Sequence, residues 1–319
     1  MKAIAYLAGI SLAIASAASL AQSYPAKPIR LITPFTAGAG ADNVTRRAAE
    51  DLFQRLGQPI VHEARPGGNF VISGEACAKA PPDGYTLCVM TPGTVSYAPF
   101  VMKQLPYDAE RDFKPVVNLF WVIGGFFANP ALGVNNMDEL RNLVGKGRNF
   151  NWATFGVGNN TDAVRQWVQD GLKMRATAIP YNGPPAIITA VMTGEADFTW
   201  IGVFNAIGQM KANKIKLIAV DSTKRWPIMP AVPTLDETVG QFNMRVWIGI
   251  MGPSALPEAI ARRLNGEYVK LFNEARFGQF LEEQGVQNGV GSIEDFTNTL
   301  RADRRDAEIF VKRYNFAIQ

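Results

Sequence analysis

Histidine is nearly absent. His62 is the one such residue in 319, and cysteine occurs twice, at Cys77 and Cys88. A Ser-His-Asp arrangement would have to use His62, which sits in the strand-like run Pro59–His62, where a structural role is the ordinary one. Zinc sites built from Cys and His lack ligands. After the first 21 residues no apolar run is long enough to span a bilayer. The longest, Val116–Ala128, is short and interrupted by Asn118, Gly124 and Gly125. The formal charge is only +4, with Lys and Arg scattered along the chain, so there is no basic stripe for nucleic acid. Repeats and low-complexity segments are missing too. So is a dinucleotide fingerprint: Asn43 stands where the third glycine of GxGxxG belongs in the Gly38–Asn43 run.

The chain begins with Lys2, an apolar or small-residue stretch over Ala3–Ala21, and Ser19-Leu20-Ala21 ahead of Gln22. This is the pattern of a cleaved secretory signal peptide, so residues 1–21 are read as removed and the remainder as exported to the periplasm. In an oxidising compartment Cys77 and Cys88 either pair or stay as two buried thiols; the spacing alone leaves both readings open. Residues 22–319 exceed the usual size of a single core, which points to two domains.

The remaining pattern alternates strands and helices. Ile29–Pro34 is strand-like, and Val44, Ala48, Leu52 and Leu56 follow at helical spacing up to Gly57. Strand Pro59–His62, helix Val71–Ala80 and strand Tyr85–Met90 complete a βαβαβ order, which predicts a parallel sheet with helices on both faces. Val116–Ala128 reads as a strand crossing between domains. A second series follows: strand Phe150–Thr154, a helix to Met174, strand Ala178–Pro180, a helix opened by Pro184, strands Asp197–Ile201 and Ile215–Val220, then Val246–Met251. Helices over Pro257–Ala275 and from Ile293, opened by Ser292, end the chain.

Two glycine-rich loops, Phe35–Asp42 and Phe155–Thr161, each lie after a strand and before a helix. Glycines let backbone approach a ligand, and helix starts carry unpaired N–H donors at a positive dipole end. In open parallel sheets ligands sit beyond the carboxyl ends of strands, so two facing sheets would aim both loops into one cleft.

Longer stretches then resemble a known family. Tyr24–Arg30, Pro34-Phe35 with its glycines and Asp42, Leu56–Pro59, Arg65–Asn69 and Ala80–Leu87 are similar to the opening half of the Bug family. Leu105–Asp108, Arg111–Val116, Pro180–Gly183, Gly194–Asp197 and Val232–Thr234 continue the likeness across the chain. The Bug proteins are the TctC-like periplasmic substrate-binding proteins of tripartite tricarboxylate transporters. The resemblance implies a type II periplasmic binding-protein fold of class α/β: two α/β lobes joined by crossing strands, with the ligand in the cleft. Lobe one would be 23–125 plus 225–319 and lobe two 126–224. It further implies a small-carboxylate ligand held by backbone N–H groups and waters, the transporter's membrane subunits as partners, and neither catalysis, cofactor nor metal. The ligand-binding positions carried over are Phe35, Thr36, Ala37, Gly38, Ala39, Gly40, Ala41 and Asp42 in the first loop, with Asp42 more a helix cap than a contact. Thr91, Gly93 and Thr94 follow, then Phe155, Gly156, Val157, Gly158, Asn159, Asn160, Thr161 and Asp162, and finally Tyr181, Gly183, Gly202 and Phe204.

Two departures bear on the ligand. The second loop has Asn159-Asn160-Thr161-Asp162 where relatives carry small hydroxyl residues and a histidine, and Ile201 replaces an aspartate. With Phe155, Val157 and Phe204 this favours an apolar cleft and a monoanionic or aromatic carboxylate rather than citrate, unless those side chains point into the lobe core. A ligand sensor feeding a membrane receptor remains the rival role. A periplasmic enzyme on the same scaffold lacks a nucleophile–base pair.

Overall fold

The structure is a computed structural model and describes residues 24–67, 70–156 and 160–316. The segment read as a signal peptide, 1–21, lies outside the described residues. Eleven described strands form two sheets. The first contains β1 (Ile29–Thr33), β2 (Ile60–Ala64), β3 (Thr86–Met90), β4 (Phe113–Val122), β10 (Trp247–Pro253) and β11 (Val286–Asn288), in the order β11-β4-β10-β3-β1-β2. The second contains β5 (Gly124–Ala128), β6 (Asn149–Thr154), β7 (Arg175–Pro180), β8 (Phe198–Gly202) and β9 (Lys216–Val220), in the order β7-β6-β8-β5-β9.

The sheets are mixed, not parallel as the βαβαβ pattern predicts. β1, β2 and β3 run parallel, but β10 lies antiparallel to both β3 and β4, and β5 antiparallel to β8 and β9. β5 and β10 arrive from the other lobe, so local alternation carries no signal for their direction; β11, antiparallel to β4, instead returns after two helices of the same lobe. The long apolar run does cross: its first part is β4 in one sheet and its second is β5 in the other, with Ile123 between them.

Each sheet is packed on both faces. In β3, Leu87 and Val89 face one cluster with Val44, Leu52, Leu264 and Tyr268, while Cys88 and Met90 face another with Cys77 and Tyr107. In the second sheet Phe126, Trp152, Phe198 and Trp200 face one cluster and Phe127, Ile201 and Val220 the other. This period-two division is what a strand buried on both sides requires. The Gly40–Leu56 helix buries Val44, Ala48, Leu52 and Leu56 in one stripe. It stops at Gly57, whose φ of +71° suits a residue without Cβ and whose N–H reaches the Phe53 carbonyl at 2.9 Å. Cys77 and Cys88 are joined as a disulfide that ties the Val71–Ala78 helix to β3, which resolves the two readings left open above.

The last helix, Ile293–Arg313, opens with a Ser292–Asp295 capping box as expected and then links the lobes a third time. Phe296 packs beside β10, while Phe310, Tyr314 and Phe316 join the core of the second sheet. Gln166 Nε2 donates to the Tyr314 carbonyl at 3.4 Å.

Candidate ligand-binding site

Both glycine loops begin with a strand-ending threonine that folds the chain back. Phe35 N–H donates to Thr33 Oγ1 at 3.2 Å after β1, and Gly156 N–H donates to Thr154 Oγ1 at 3.1 Å after β6. Both then carry an aspartate in the first turn of the following helix. Asp42 Oδ2 accepts from Gly38 N–H at 3.0 Å and from Arg46 Nε at 2.7 Å. Asp162 accepts from Arg165 Nε at 2.6 Å and from Gln166 Nε2 at 3.2 Å. Both carboxylates are fully buried, and each is paired with an arginine of its own helix.

This bonding decides which donors remain in the first loop. Phe35 N–H goes to Thr33, Gly38 N–H to Asp42, and Ala39 N–H to the Thr36 carbonyl at 3.2 Å. Thr36, Ala37, Gly40 and Ala41 keep N–H groups that no described residue takes, the last two because a helix start leaves them over. Gly38 holds a φ of +84°, which lets the loop turn inward.

A cavity of about 540 Å³ lies between the lobes. Lobe one supplies Phe35, Thr36, Ala39 and Ala41, then Phe70, Thr91, Gly93 and Tyr97. Lobe two supplies Phe155, Thr161, Trp200, Ile201, Gly202 and Phe204. Val122, Met244, Arg245 and Val246 come from the crossing segments, and Phe316 from the C-terminal strap. The size fits a small organic ligand, and the lining is dominated by apolar and aromatic side chains with a few polar groups.

Of the expected binding positions, Phe35, Thr36, Ala39, Ala41, Thr91, Gly93, Phe155, Thr161, Gly202 and Phe204 line this cavity. Ala37, Gly38, Gly40, Asp42, Gly156, Asp162 and Gly183 do not line it, and the side chain of Asn160 is outside what the structure describes. Thr94 is buried beneath it, with its carbonyl accepting the Tyr107 hydroxyl at 2.8 Å. Tyr181 packs against the lobe-two core. Val157, Gly158 and Asn159 lie outside the described residues. Ile201 is both core and cavity wall. Phe70, Tyr97, Trp200, Met244, Arg245 and Phe316 were not foreseen, because nothing local in the sequence marks them as neighbours.

The lobes also touch directly. Phe204, from lobe two, packs against the lobe-one core, and a methyl group at Gly40 would overlap its ring. Where the chain crosses, Asp221 is buried: its Oδ1 accepts Gly124 N–H at 2.7 Å, and its own N–H donates to the Gly124 carbonyl at 2.9 Å. Burial pushes its carboxyl up to about 7, against the opposing pull of the Gly124 N–H and of Arg245. His62 lies on β2 beside Thr45, and burial and then Arg46 hold it down to about 4, so it is a neutral structural residue near pH 7. Among the described residues no group of His, Cys, Asp and Glu is arranged to hold a metal ion. No described helix is long and apolar enough to cross a membrane.

Comparison with known proteins agrees with this geometry. A UPF0065 protein of Bordetella pertussis is 29% identical over 295 residues, covering 91% of this chain and 90% of that one. Protein BugT of the same species is 27% identical over 294 residues, covering 89% and 88%. Among solved structures, R. palustris Rpa4515 with adipate superposes with a TM-score of 0.83 at 25% identity, covering 92% of this chain and 99% of that one. Periplasmic binding protein BugD superposes at 0.77 with 26% identity, covering 93% and 100%. BugD is a periplasmic binding protein, and the family it shares with this chain is one of receptors and not of enzymes. A family model described as "Tripartite tricarboxylate transporter family receptor" matches residues 44–314. The chain therefore belongs to that receptor family, the periplasmic solute-binding proteins of the TctC or Bug type.

Proposed function

We propose that this protein captures a small organic carboxylate with an apolar body by closing its two lobes, and delivers it to the membrane subunits of a tripartite transporter. The observation that carries the reading is the interlobe cavity. Aromatic rings from both lobes wall it, and Thr36 and Ala41, two of the first-loop residues that keep a free N–H, line it. Such donors stabilise an anion without a formal charge, while the rings suit the body of an apolar acid. The adipate in Rpa4515, a carboxylate whose middle is a methylene chain, supports the same ligand type. Phe35, Thr36, Ala39, Ala41, Thr91, Gly93, Phe155, Thr161, Gly202 and Phe204 are the direct contacts in this reading, and Asp42 holds the first loop in shape through Gly38 N–H. Sheet membership supports a first lobe of about 23–125 with β10 and β11 and a second of about 126–224, while Trp226, Val232, Leu235, Phe242 and Met244 of the return segment pack into the second lobe and the C-terminal strap reaches across. Export through removal of residues 1–21 is part of the proposal, and the intact mass of protein from the periplasmic fraction tests it.

Thermal-shift screening tests the ligand class. Benzoate, phenylacetate and adipate are set against citrate, malate and glutamate. Concentration-dependent stabilisation by the apolar acids is expected. Stabilisation by citrate, malate or glutamate alone would overturn the apolar assignment.

A further inference from the structure

Arg245 is the one charged side chain lining the cavity among the described residues. Its Nε donates to the Asp221 carbonyl at 2.8 Å and its Nη2 to Asp236 Oδ2 at 2.6 Å. Asp236 is itself fixed, since its Oδ1 accepts Phe242 N–H at 2.8 Å. Two of the three guanidinium nitrogens are therefore held by the return segment between β9 and β10, which sets the group's orientation. Nη1 has no acceptor among the described residues. The ion pair with Asp236 offsets part of the charge, and Nη1 keeps N–H donors that can pair with an anion in the apolar cavity.

Its place in the sheet separates it from the first loop. Arg245 stands just ahead of β10, which runs antiparallel to β3, so it lies at the same sheet edge as the end of β1. In the order β10-β3-β1 it is two strand spacings away, about 10 Å between backbones. The cavity thus has two polar poles, the uncharged N–H donors of the first loop and a guanidinium, with aromatic rings such as Phe35, Tyr97 and Trp200 also lining it.

We propose that Arg245 is a specificity-determining residue that pairs with a second anionic group of the ligand, at the opposite pole from the first glycine loop. The proposal rests on the carboxylate reading above and extends it. A monoanion fills one pole only, so the favoured ligand carries acid groups at both ends of an apolar body.

Matched probes test this by isothermal titration: adipate against hexanoate, and terephthalate against 4-methylbenzoate. The readout is the affinity ratio of each diacid to its single-acid partner in wild type, Arg245→Gln and Arg245→Lys. A ratio of about tenfold or more is expected in wild type, from one charge-assisted pair. In Arg245→Gln it falls to about one. Arg245→Lys, which keeps the charge and can still reach Asp236, retains part of it. A ratio unchanged in Arg245→Gln, or equal losses for both members of a pair, overturns the proposal and makes Arg245 a structural clamp. Wild type that binds hexanoate or 4-methylbenzoate as well as the diacid also overturns it, while leaving the carboxylate reading intact. Failure of all four acids to bind removes both.

Discussion

At the end of β1, Phe35 sits behind its threonine turn with its ring edge-on to Phe70, centroids 6.0 Å apart, and packs against the lobe-one core. At the end of β6 the same turn presents Phe155, which is 40% exposed. The two loops share a threonine turn at the strand end and a buried aspartate–arginine pair in the helix that follows. They differ in what they offer the cavity: one gives a ring already committed to its own lobe, the other a ring with area still to bury. Threonine turns of the same kind open both loops, and the difference lies in how far each phenylalanine is already packed. The lobes behind them also differ. Lobe one staples its Val71–Ala78 helix to β3 through Cys77–Cys88, whereas lobe two relies on a packed ring cluster in which Phe126 stacks on Trp152 at 5.0 Å.

Removing the staple is the strongest test of that contrast. Cys77→Ser with Cys88→Ser frees a short loop in the unfolded chain and is expected to cost about 3 kcal/mol of stability. Urea denaturation measures it. A loss near zero would mean that lobe one, like lobe two, stands on packing alone.

The joint between the lobes gives the next effect. Asp221 has its carboxyl raised in the folded state to about 7, so between about pH 4 and 7 the folded chain holds a proton that the unfolded chain has released. Its contribution to stability is full below that window and is lost as the pH rises through 7. Asp303, raised to about 6 chiefly by burial, acts in the same direction. Asp221→Asn keeps the acceptor for Gly124 N–H and removes the titration. Between pH 5 and 8 it should lose less stability than wild type, by about 2 kcal/mol. Equal losses in the two proteins would show that Asp221 is not strained by burial.

Contact across the cleft comes third. Gly40→Ala should weaken binding of the best acid about tenfold, because the added methyl displaces the Phe204 ring when the lobes meet. Phe204→Ala in the same chain should recover part of that loss. Gly38→Ala meets no neighbour and is expected to act on stability only, through its positive φ. A Gly40→Ala protein with unchanged affinity would separate the two loops from closure altogether.

The smallest effects distinguish the two phenylalanines. Phe35→Ala is expected to lower stability by about 1 kcal/mol. Phe155→Ala should leave the melting temperature near that of wild type while lowering acid affinity severalfold. The reverse pattern would mean that Phe155 is the structural ring.

Much of this was legible in residue order. Val44, Ala48, Leu52 and Leu56 mark a helix because burial on one face demands that spacing, and the strand–glycine–helix junctions at Phe35 and Phe155 announce their loops. The Val116–Ala128 run shows that the chain crosses between lobes, because a strand buried in two sheets in succession stays apolar throughout. Asp42 reads as a helix-start residue, and the structure gives it a closer task, holding Gly38 N–H and Arg46. Strand direction in β5 and β10 was beyond reach, because antiparallel pairing depends on which lobe the chain returns from. Phe70, Tyr97, Trp200, Arg245 and Phe316 come from five separate segments with no shared local motif, and only packing of two sheets and a C-terminal strap makes them one wall. The sequence by itself determined the loops, their helices and the family, since these depend on short-range periodicity and backbone freedom. Which side chains line the cavity, and that one of them is an arginine, was decided by tertiary structure, because cavity walls are assembled from residues far apart in the chain.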